Sequence, residues 1–164
     1  MAVLNVHERR LPVPESGLAP LLDGLSSEND RVWPSERGQW PRMVLDRPLG
    51  VGATGGHGPV RYTVVGYAPG RWVRFRFSGP KGFHGFHEYT VHATDDPSSA
   101  VLRHTLAMRA RGPARLAWPF VFRWFHDAVI EDSLDRAERA CAGTVARPAR
   151  WSPYVRLLRR LTPG

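Results

Sequence analysis

The stretch LRHTLAMRARGPARLAWPFVFRWFHDAVIEDSLDRAERAC, residues 102–141, decides the fold. Its first part alternates between a mostly apolar and a mostly polar face, which predicts a β-strand over residues 100–111 with one side against a core. Pro113 then suits the first position of a helix, and no glycine follows before Gly143. With Pro119 as the only breaker, the pattern predicts one long helix over residues 113–141.

The preceding sequence predicts more strands, two short helices and a glycine-rich loop. Leucines three and four residues apart indicate a helix over residues 15–25, and Ser27 can begin a second helical turn over 27–32. Period-two patterns predict strands over residues 3–10, 40–45, 60–67, 72–77 and 83–94, and five glycines predict a loop over 50–58. The fold class is therefore α+β, with an antiparallel sheet and a long C-terminal helix.

Composition excludes several classes of protein. A chain of 164 residues, 42% hydrophobic and 23% charged, is one globular domain that can bury a core without disulfides or a structural metal. The single Cys141 fits a reducing cytoplasm, and no segment approaches the ~20 apolar residues of a membrane helix. The N-terminal MAVLNVHERR has no apolar signal segment, so we expect neither secretion nor membrane insertion.

The positive charge is concentrated in the C-terminal segment. The net charge is +8, but five arginines lie within residues 146–164, where there is no acid, and the rest of the chain carries only +3. No nucleic-acid reader motif accompanies this charge, so the sequence does not favour a nucleic-acid partner. The segment 144–164 is predicted to be a basic amphipathic extension with a short helix opened by Ser152 and Pro153.

The order of elements, together with WPFVFRWFHDAVIEDSLDRAE at residues 118–138, resembles the helix-grip fold of the START-like (SRPBCC) superfamily, and in particular its polyketide cyclase/dehydrase-like members. The resemblance covers about residues 3–141 and implies a helix-grip domain over residues 1–143. It implies a curved antiparallel sheet of six or seven strands around the long helix. It also implies a pocket between sheet and helix. The family has no invariant catalytic motif, so the resemblance indicates a fold rather than a reaction.

Residues 116–125 are apolar on nearly every side of the predicted helix, which is more apolar surface than one sheet face usually covers. Part of this surface can line a cavity, and a solidly packed core is the alternative. The predicted ligand-binding residues are Tyr62, Phe75, Tyr89, Leu106, Phe120, Trp124 and Phe125.

His104 and His87 are the predicted catalytic residues. His104 stands between Leu102 and Leu106 on the core face of its strand, and an imidazole there can act as an acid or base or can orient a ligand oxygen. A core histidine that is satisfied by a neighbour remains the alternative. His87 and Tyr89 lie on the more apolar face of the preceding strand, but the sequence does not determine the cross-strand register.

Other motifs do not support a cofactor or metal. In a strand, His84 and His87 point to opposite faces, so the string HGFH does not form a metal site. The glycines of residues 50–58 lack the spacing of a dinucleotide or phosphate loop, and neither serine nor cysteine occupies a nucleophile elbow. His126 and Asp127 are adjacent on the helix and diverge by about 100°, so they do not make a dyad by themselves.

Two functional hypotheses follow. The first is a cytoplasmic protein that binds a hydrophobic, aromatic or polyketide-like small molecule; if it is an enzyme, the expected reaction is cyclisation, dehydration or aromatisation. The second is a non-catalytic carrier, sensor or interaction module. In the second hypothesis the basic extension docks on its own domain or on the second subunit of a homodimer, or contacts an acidic partner or an anionic membrane surface.

Overall fold

The computed structural model describes residues 1–161, and the last three residues of the predicted extension, 162–164, lie outside the described part. Seven antiparallel strands form one sheet in the order β1-β7-β6-β5-β4-β3-β2. The strands are β1 (Ala2–Leu11), β2 (Val44–Leu45), β3 (Thr54–His57), β4 (Val60–Ala68), β5 (Trp72–Gly79), β6 (Phe83–Ala93) and β7 (Ala100–Ala110). The predicted α+β class and the curved antiparallel sheet are confirmed.

The long C-terminal helix is also confirmed, with one irregular turn. It consists of α2 (Ala114–Ala117), a π-helical turn (Trp118–Phe122) and α3 (Arg123–Ala142), and we call these three parts the long helix. Gly143 ends it with a positive φ of 74°, a conformation that glycine adopts without strain. A shorter helix, α1 (Glu15–Asp23), follows β1, and α4 (Pro153–Leu161) follows the long helix.

The prediction of a second short helix over residues 27–32 is wrong. Residues 24–29 form turns, and the side chain of Asp30 accepts hydrogen bonds from the backbone N–H groups of Val32 and Trp33, both at 2.8 Å. Asp and Ser side chains compete in this way for the backbone hydrogen bonds that a helix needs. The next helical structure along the chain is the single 3₁₀ turn Glu36–Gly38.

Two predictions near the second sheet edge need correction. The predicted strand over residues 40–45 is reduced to β2, while part of the glycine-rich loop predicted over 50–58 forms β3. A Cβ atom on Gly55 would lie 1.9 Å from the carbonyl oxygen of Val44, and one on Gly56 would lie 2.0 Å from that of Val60. The glycines therefore allow the neighbouring backbones to approach each other, which is a role within a strand rather than a loop.

An ionic seam joins the edge strand β1 to one face of α3. Asn5, His7 and Arg9 alternate along β1, and their side chains meet carboxylates spaced three or four residues apart on the helix. The contacts of this β1–α3 seam are Asn5 with Asp127 (2.8 Å), His7 with Asp127 (3.2 Å) and Glu131 (2.7 Å), and Arg9 with Glu131 (3.1 Å), Asp135 (2.9 Å) and Glu138 (2.5 Å).

The second half of the long helix packs tightly on the sheet, and Ala114 and Trp118 near its start pack in a second, smaller core cluster with residues of β6 and β7. Ile130, Leu134 and Ala137 are almost fully buried in the main core, and Ser133 Oγ lies 2.8 Å from the Tyr89 hydroxyl. Toward its N-terminus the same helix forms one wall of a cavity. Within residues 1–161, no helix combines the length and apolar character needed to cross a membrane.

Replacing Arg9 by Met should destabilise the protein strongly. The change leaves the carboxylates of Asp135 and Glu138, each only 10% exposed, without their cation. Leaving a buried charge unpaired costs about 3 kcal/mol or more in free energy of unfolding. As a matched control, Arg103→Met removes the exposed pair with Glu8 and should cost less than about 1 kcal/mol. Urea unfolding of the three proteins measures this difference, and equal losses in both variants would show that the seam does not hold the helix.

Candidate functional site

A cavity of about 500 Å³ lies between the sheet and the first half of the long helix. We call it the central cavity. Its volume falls within the range of about 300–1,000 Å³ that is usual for small-molecule sites. Its lining is mostly apolar and aromatic. The lining residues are Trp33, Trp40, Pro41, His57, Gly58, Pro59, Val60, Phe77, Phe83, His87, His104, Leu106, Trp118, Val121, Phe122, Phe125, His126, Val129, Ile130 and Arg159.

The two predicted catalytic histidines meet at this cavity. The β6–β7 register places His87 opposite Leu106 and Tyr89 opposite His104, so the two histidines are diagonal neighbours on the same face. His87 Nδ1 lies 3.3 Å from His104 Nε2, and both side chains are buried. The other nitrogen of each ring, His87 Nε2 and His104 Nδ1, has no hydrogen-bond partner among the described residues.

Aromatic side chains behind the cavity wall orient this histidine pair. Phe75 stacks on His87 with ring centroids 4.9 Å apart, and Tyr62 meets the same ring edge-on at 5.0 Å. Tyr89 packs edge-on against His104 at 4.7 Å. Tyr62, Phe75 and Tyr89, which we predicted as ligand-binding residues, are thus core residues that contact the histidines and do not line the cavity.

Two further histidines line the cavity. His126 on α3 lies 5.1 Å from His104 between ring centroids, and neither of its ring nitrogens has a partner within hydrogen-bond distance. His57 on β3 packs on Trp33 at 4.4 Å. Burial lowers the pKa of His87 and of His104 well below 6.5 and that of His57 to about 3, and repulsion between the rings acts in the same direction. These three imidazoles are therefore neutral at pH 7.

The predicted residues on the long helix divide between its two faces. Phe125 lines the cavity, as does Leu106 on β7. Phe120 and Trp124, in contrast, are 62% and 38% exposed on the outer face, and the cavity lining does not include them. Because the segment is apolar all round, its composition alone did not indicate which face turns inward.

Sequence reasoning missed His57, His126, Trp118 and Phe122. The sequence did indicate three of them, because the buried stripe in the second half of the helix can be continued toward the N-terminus. Counting back from Ile130 in steps of four residues gives His126, Phe122 and Trp118, all of which face the cavity. His57 carried no comparable signal, because the glycines around it predicted a loop.

One cluster within residues 1–161 has the composition of a metal site. His7, His126 and Asp127 each offer a ligand atom, and these atoms lie within 4.8 Å of one another. Burial lowers the pKa of His7, but hydrogen bonds and charge attraction from Asp127 and Glu131 outweigh it and raise the pKa to about 9. His7 is therefore a cation at pH 7 and forms ion pairs of the β1–α3 seam with Asp127 and Glu131. His84 is exposed and His87 is buried, so the HGFH string does not bring them together.

The basic extension packs against the body of the protein. Val155 on α4 is buried, and the Tyr154 hydroxyl donates to the carbonyl oxygen of Phe120 at 2.6 Å. Trp151 Nε1 and Trp40 Nε1 both donate to Asp132 Oδ2, at 2.8 and 2.7 Å. The extension thus contacts the long helix and the segment beside the cavity.

No protein-family model matches the chain, and no curated protein sequence matches it. Several solved structures are similar to the chain. Norcoclaurine synthase from Thalictrum flavum, in complex with dopamine and hydroxybenzaldehyde, is similar over 90% of each chain, with 10% identity and a TM-score of 0.65. CalU16 from Micromonospora echinospora is similar over 98% of this chain and 83% of its own, with 12% identity and a TM-score of 0.58.

A third similar structure is Ara h 8.0201, with 14% identity and a TM-score of 0.55 over 84% of this chain and 98% of its own. Together with the sheet order and the long C-terminal helix, these matches show that the chain has the helix-grip fold. At such low identity the similarity shows the fold alone.

The low pKa values predict that acid destabilises the protein through its cavity. The pKa of His57 is about 3 when folded and about 6.5 when unfolded, so between these values the unfolded chain binds more protons. The contribution of neutral His57 to the free energy of unfolding is fully present above about pH 6.5. It falls by about 1.4 kcal/mol per pH unit as the pH drops toward 3. His57→Phe keeps a ring against Trp33 and should make the decline shallower by that amount. Urea unfolding between about pH 6 and about pH 4 measures it, and an unchanged slope would contradict the assignment.

Proposed function

We propose that the protein binds a hydrophobic, aromatic or polyketide-like small molecule in the central cavity and catalyses a cyclisation or dehydration there. The observation that carries this proposal is a cavity of about 500 Å³, lined by aromatic side chains, into which neutral histidines bring unpartnered nitrogen atoms. The enzyme among the similar structures was solved with two aromatic molecules, dopamine and hydroxybenzaldehyde, which is consistent with an aromatic ligand for this chain.

The unpartnered polar atoms indicate what kind of ligand fits. A buried polar atom without a hydrogen bond costs about 1–3 kcal/mol, and ligand oxygens can supply the missing partners. The atoms concerned belong to His87, His104 and His126. A pure hydrocarbon would leave them unsatisfied, so we propose a ligand with an apolar ring body and hydroxyl or carbonyl groups directed at the histidines.

The His87–His104 pair can move protons without a change of net charge. Each neutral imidazole has one N–H, so if His87 Nδ1 donates to His104 Nε2, the free His87 Nε2 is an acceptor and the free His104 Nδ1 is a donor. Dehydration needs both groups: the acceptor removes a proton from carbon, and the donor protonates the departing hydroxyl to give water. The proton in the hydrogen bond between the two rings then moves from one ring to the other. Both imidazoles are neutral again, each in its other tautomer, so the protons balance.

The alternative is a non-catalytic carrier or sensor that uses the same cavity. This hypothesis shares the binding step and differs only in the proton-transfer step. The further expectation that the basic extension serves a macromolecular partner has weaker support, because its buried Val155 and its Tyr154 hydroxyl are already engaged with the domain.

The binding proposal predicts uptake of a neutral aromatic probe. N-phenyl-1-naphthylamine, which fluoresces in apolar surroundings, should bind the wild-type protein, and Val121→Trp should weaken its affinity at least tenfold by filling the cavity. Val65→Trp is the matched control, because Val65 is 36% exposed on β4 and does not line the cavity. Fluorescence titration measures the affinities. No enhancement with wild-type protein, or equal loss in both variants, would refute the proposal.

The catalytic part predicts base catalysis on a simple substrate. The probe 5-nitrobenzisoxazole opens to a nitrophenolate when a base removes its ring C–H proton and the N–O bond breaks. Wild-type protein should accelerate this reaction, and His87→Phe should reduce the acceleration at least tenfold. The matched control is His84→Phe, which replaces an exposed histidine of the same strand.

Absorbance of the product measures these rates, and the naphthylamine affinity of each variant shows whether its cavity is intact. If wild type and His87→Phe react equally while both bind the naphthylamine, the proton-transfer role is wrong and the carrier hypothesis is favoured.

A further inference from the structure

We infer that the ligand of the central cavity is a hydrophobic monocarboxylate whose anionic end binds Arg159 where the cavity reaches the surface. This inference rests on the proposed function and adds the chemical class of the ligand. It is carried by the position of Arg159, by N–H groups of its side chain that have no described acceptor and by the uncharged character of the rest of the lining.

Arg159 is the one permanently charged side chain among the described side chains that line the cavity. The described lining residues include no Asp, Glu or Lys, and their other polar side-chain groups are imidazoles and indole N–H groups. An arginine beside a mostly apolar volume creates a strongly asymmetric site. A ligand with an apolar body and one negative end matches this asymmetry, whereas a neutral ligand would leave the guanidinium charge without a counter-charge.

Arg159 stands beside the opening of the cavity. Gly58 and Pro59 both line the cavity and are exposed, which places an opening next to them. Pro41 adjoins Gly58, since a Cβ atom there would lie 3.4 Å from Pro41 Cγ. The guanidinium of Arg159 lies over the ring of the preceding Trp40, 5.2 Å from its centroid. A ligand that enters here can therefore bury its ring and leave its charged end at the guanidinium.

Most N–H groups of Arg159 have no partner among the described residues. One N–H group, on Nη2, donates to the carbonyl oxygen of Gln39 at 2.7 Å, and a guanidinium has five N–H groups. No ion pair joins Arg159 to a described carboxylate. Asp132, the acid beside Trp40, accepts the indole N–H groups of Trp40 and Trp151 instead.

The geometry of a guanidinium selects the anion. Its planar fork matches the two oxygens of a carboxylate, and the pairing is bidentate. A single cation balances a single negative charge, so a carboxylate fits better than a doubly charged phosphate. Buried Val155 and the hydrogen bond of Tyr154 fix the helix that carries Arg159. The contacts with Gln39 and Trp40 already orient its guanidinium, which lowers the cost of ordering it on binding.

The test compares two ligands that differ only in charge. 2-Naphthoic acid and 2-naphthamide have the same ring and nearly the same size, and each is measured by its displacement of N-phenyl-1-naphthylamine at pH 7.5. We expect the acid to bind wild-type protein at least tenfold more tightly than the amide. Arg159→Gln should weaken the acid at least tenfold and leave the amide within threefold, and Arg159→Lys should restore only part of the loss because it keeps the charge without the fork.

Arg160→Gln is the matched control, since it removes the same charge from an exposed neighbour that does not line the cavity. Unchanged amide affinity in Arg159→Gln shows that the variant is folded. If acid and amide bind equally and Arg159→Gln changes neither, the carboxylate inference is wrong while the proposed cavity function stands. If the naphthylamine itself fails to bind wild-type protein, the proposed function is wrong and this inference fails with it.

Discussion

The ionic seam between β1 and α3 is the constraint on which the position of the long helix depends. It attaches the helix at the edge of the sheet through Arg9, His7 and Asn5, whose partners are carboxylates on one helix face. A helix attached along its flank does not need apolar side chains to fill all the space beneath it. Removing so many charges from water is costly, so the seam determines the position of the helix more than it adds to the net stability of the fold. The open volume under the first half of the helix is compatible with this arrangement.

The chemistry of the cavity follows from what such an apolar volume tolerates. A permanent charge deep inside would require a partner, but an imidazole can lose its charge and remain both a donor and an acceptor. His87 and His104 are held in this neutral state by burial and in a fixed orientation by the rings of Phe75 and Tyr89. The buried aromatic residues therefore act on the site through the histidines rather than by touching a ligand.

The sequence predicted most of the architecture, because the long strands and the long helix have strong periodicity over many residues. It predicted less of the site. The pairing of His87 with His104 depends on strand register, which alternation does not define. The prediction placed Phe120 in the cavity, because a helix that is apolar on every side gives no indication of which residues face inward. His57 was overlooked because the glycines beside it serve close backbone contact, and glycine in a sequence signals a turn more often than a strand.

The carboxylate of Asp132 has a structural consequence. One of its oxygens, Oδ2, accepts both the indole of Trp40 in the cavity wall and the indole of Trp151 in the C-terminal extension. Three segments far apart along the chain are thereby tied to a single atom. Removal of this one carboxylate would leave two indole N–H groups without their acceptor, one in the cavity wall and one in the C-terminal extension.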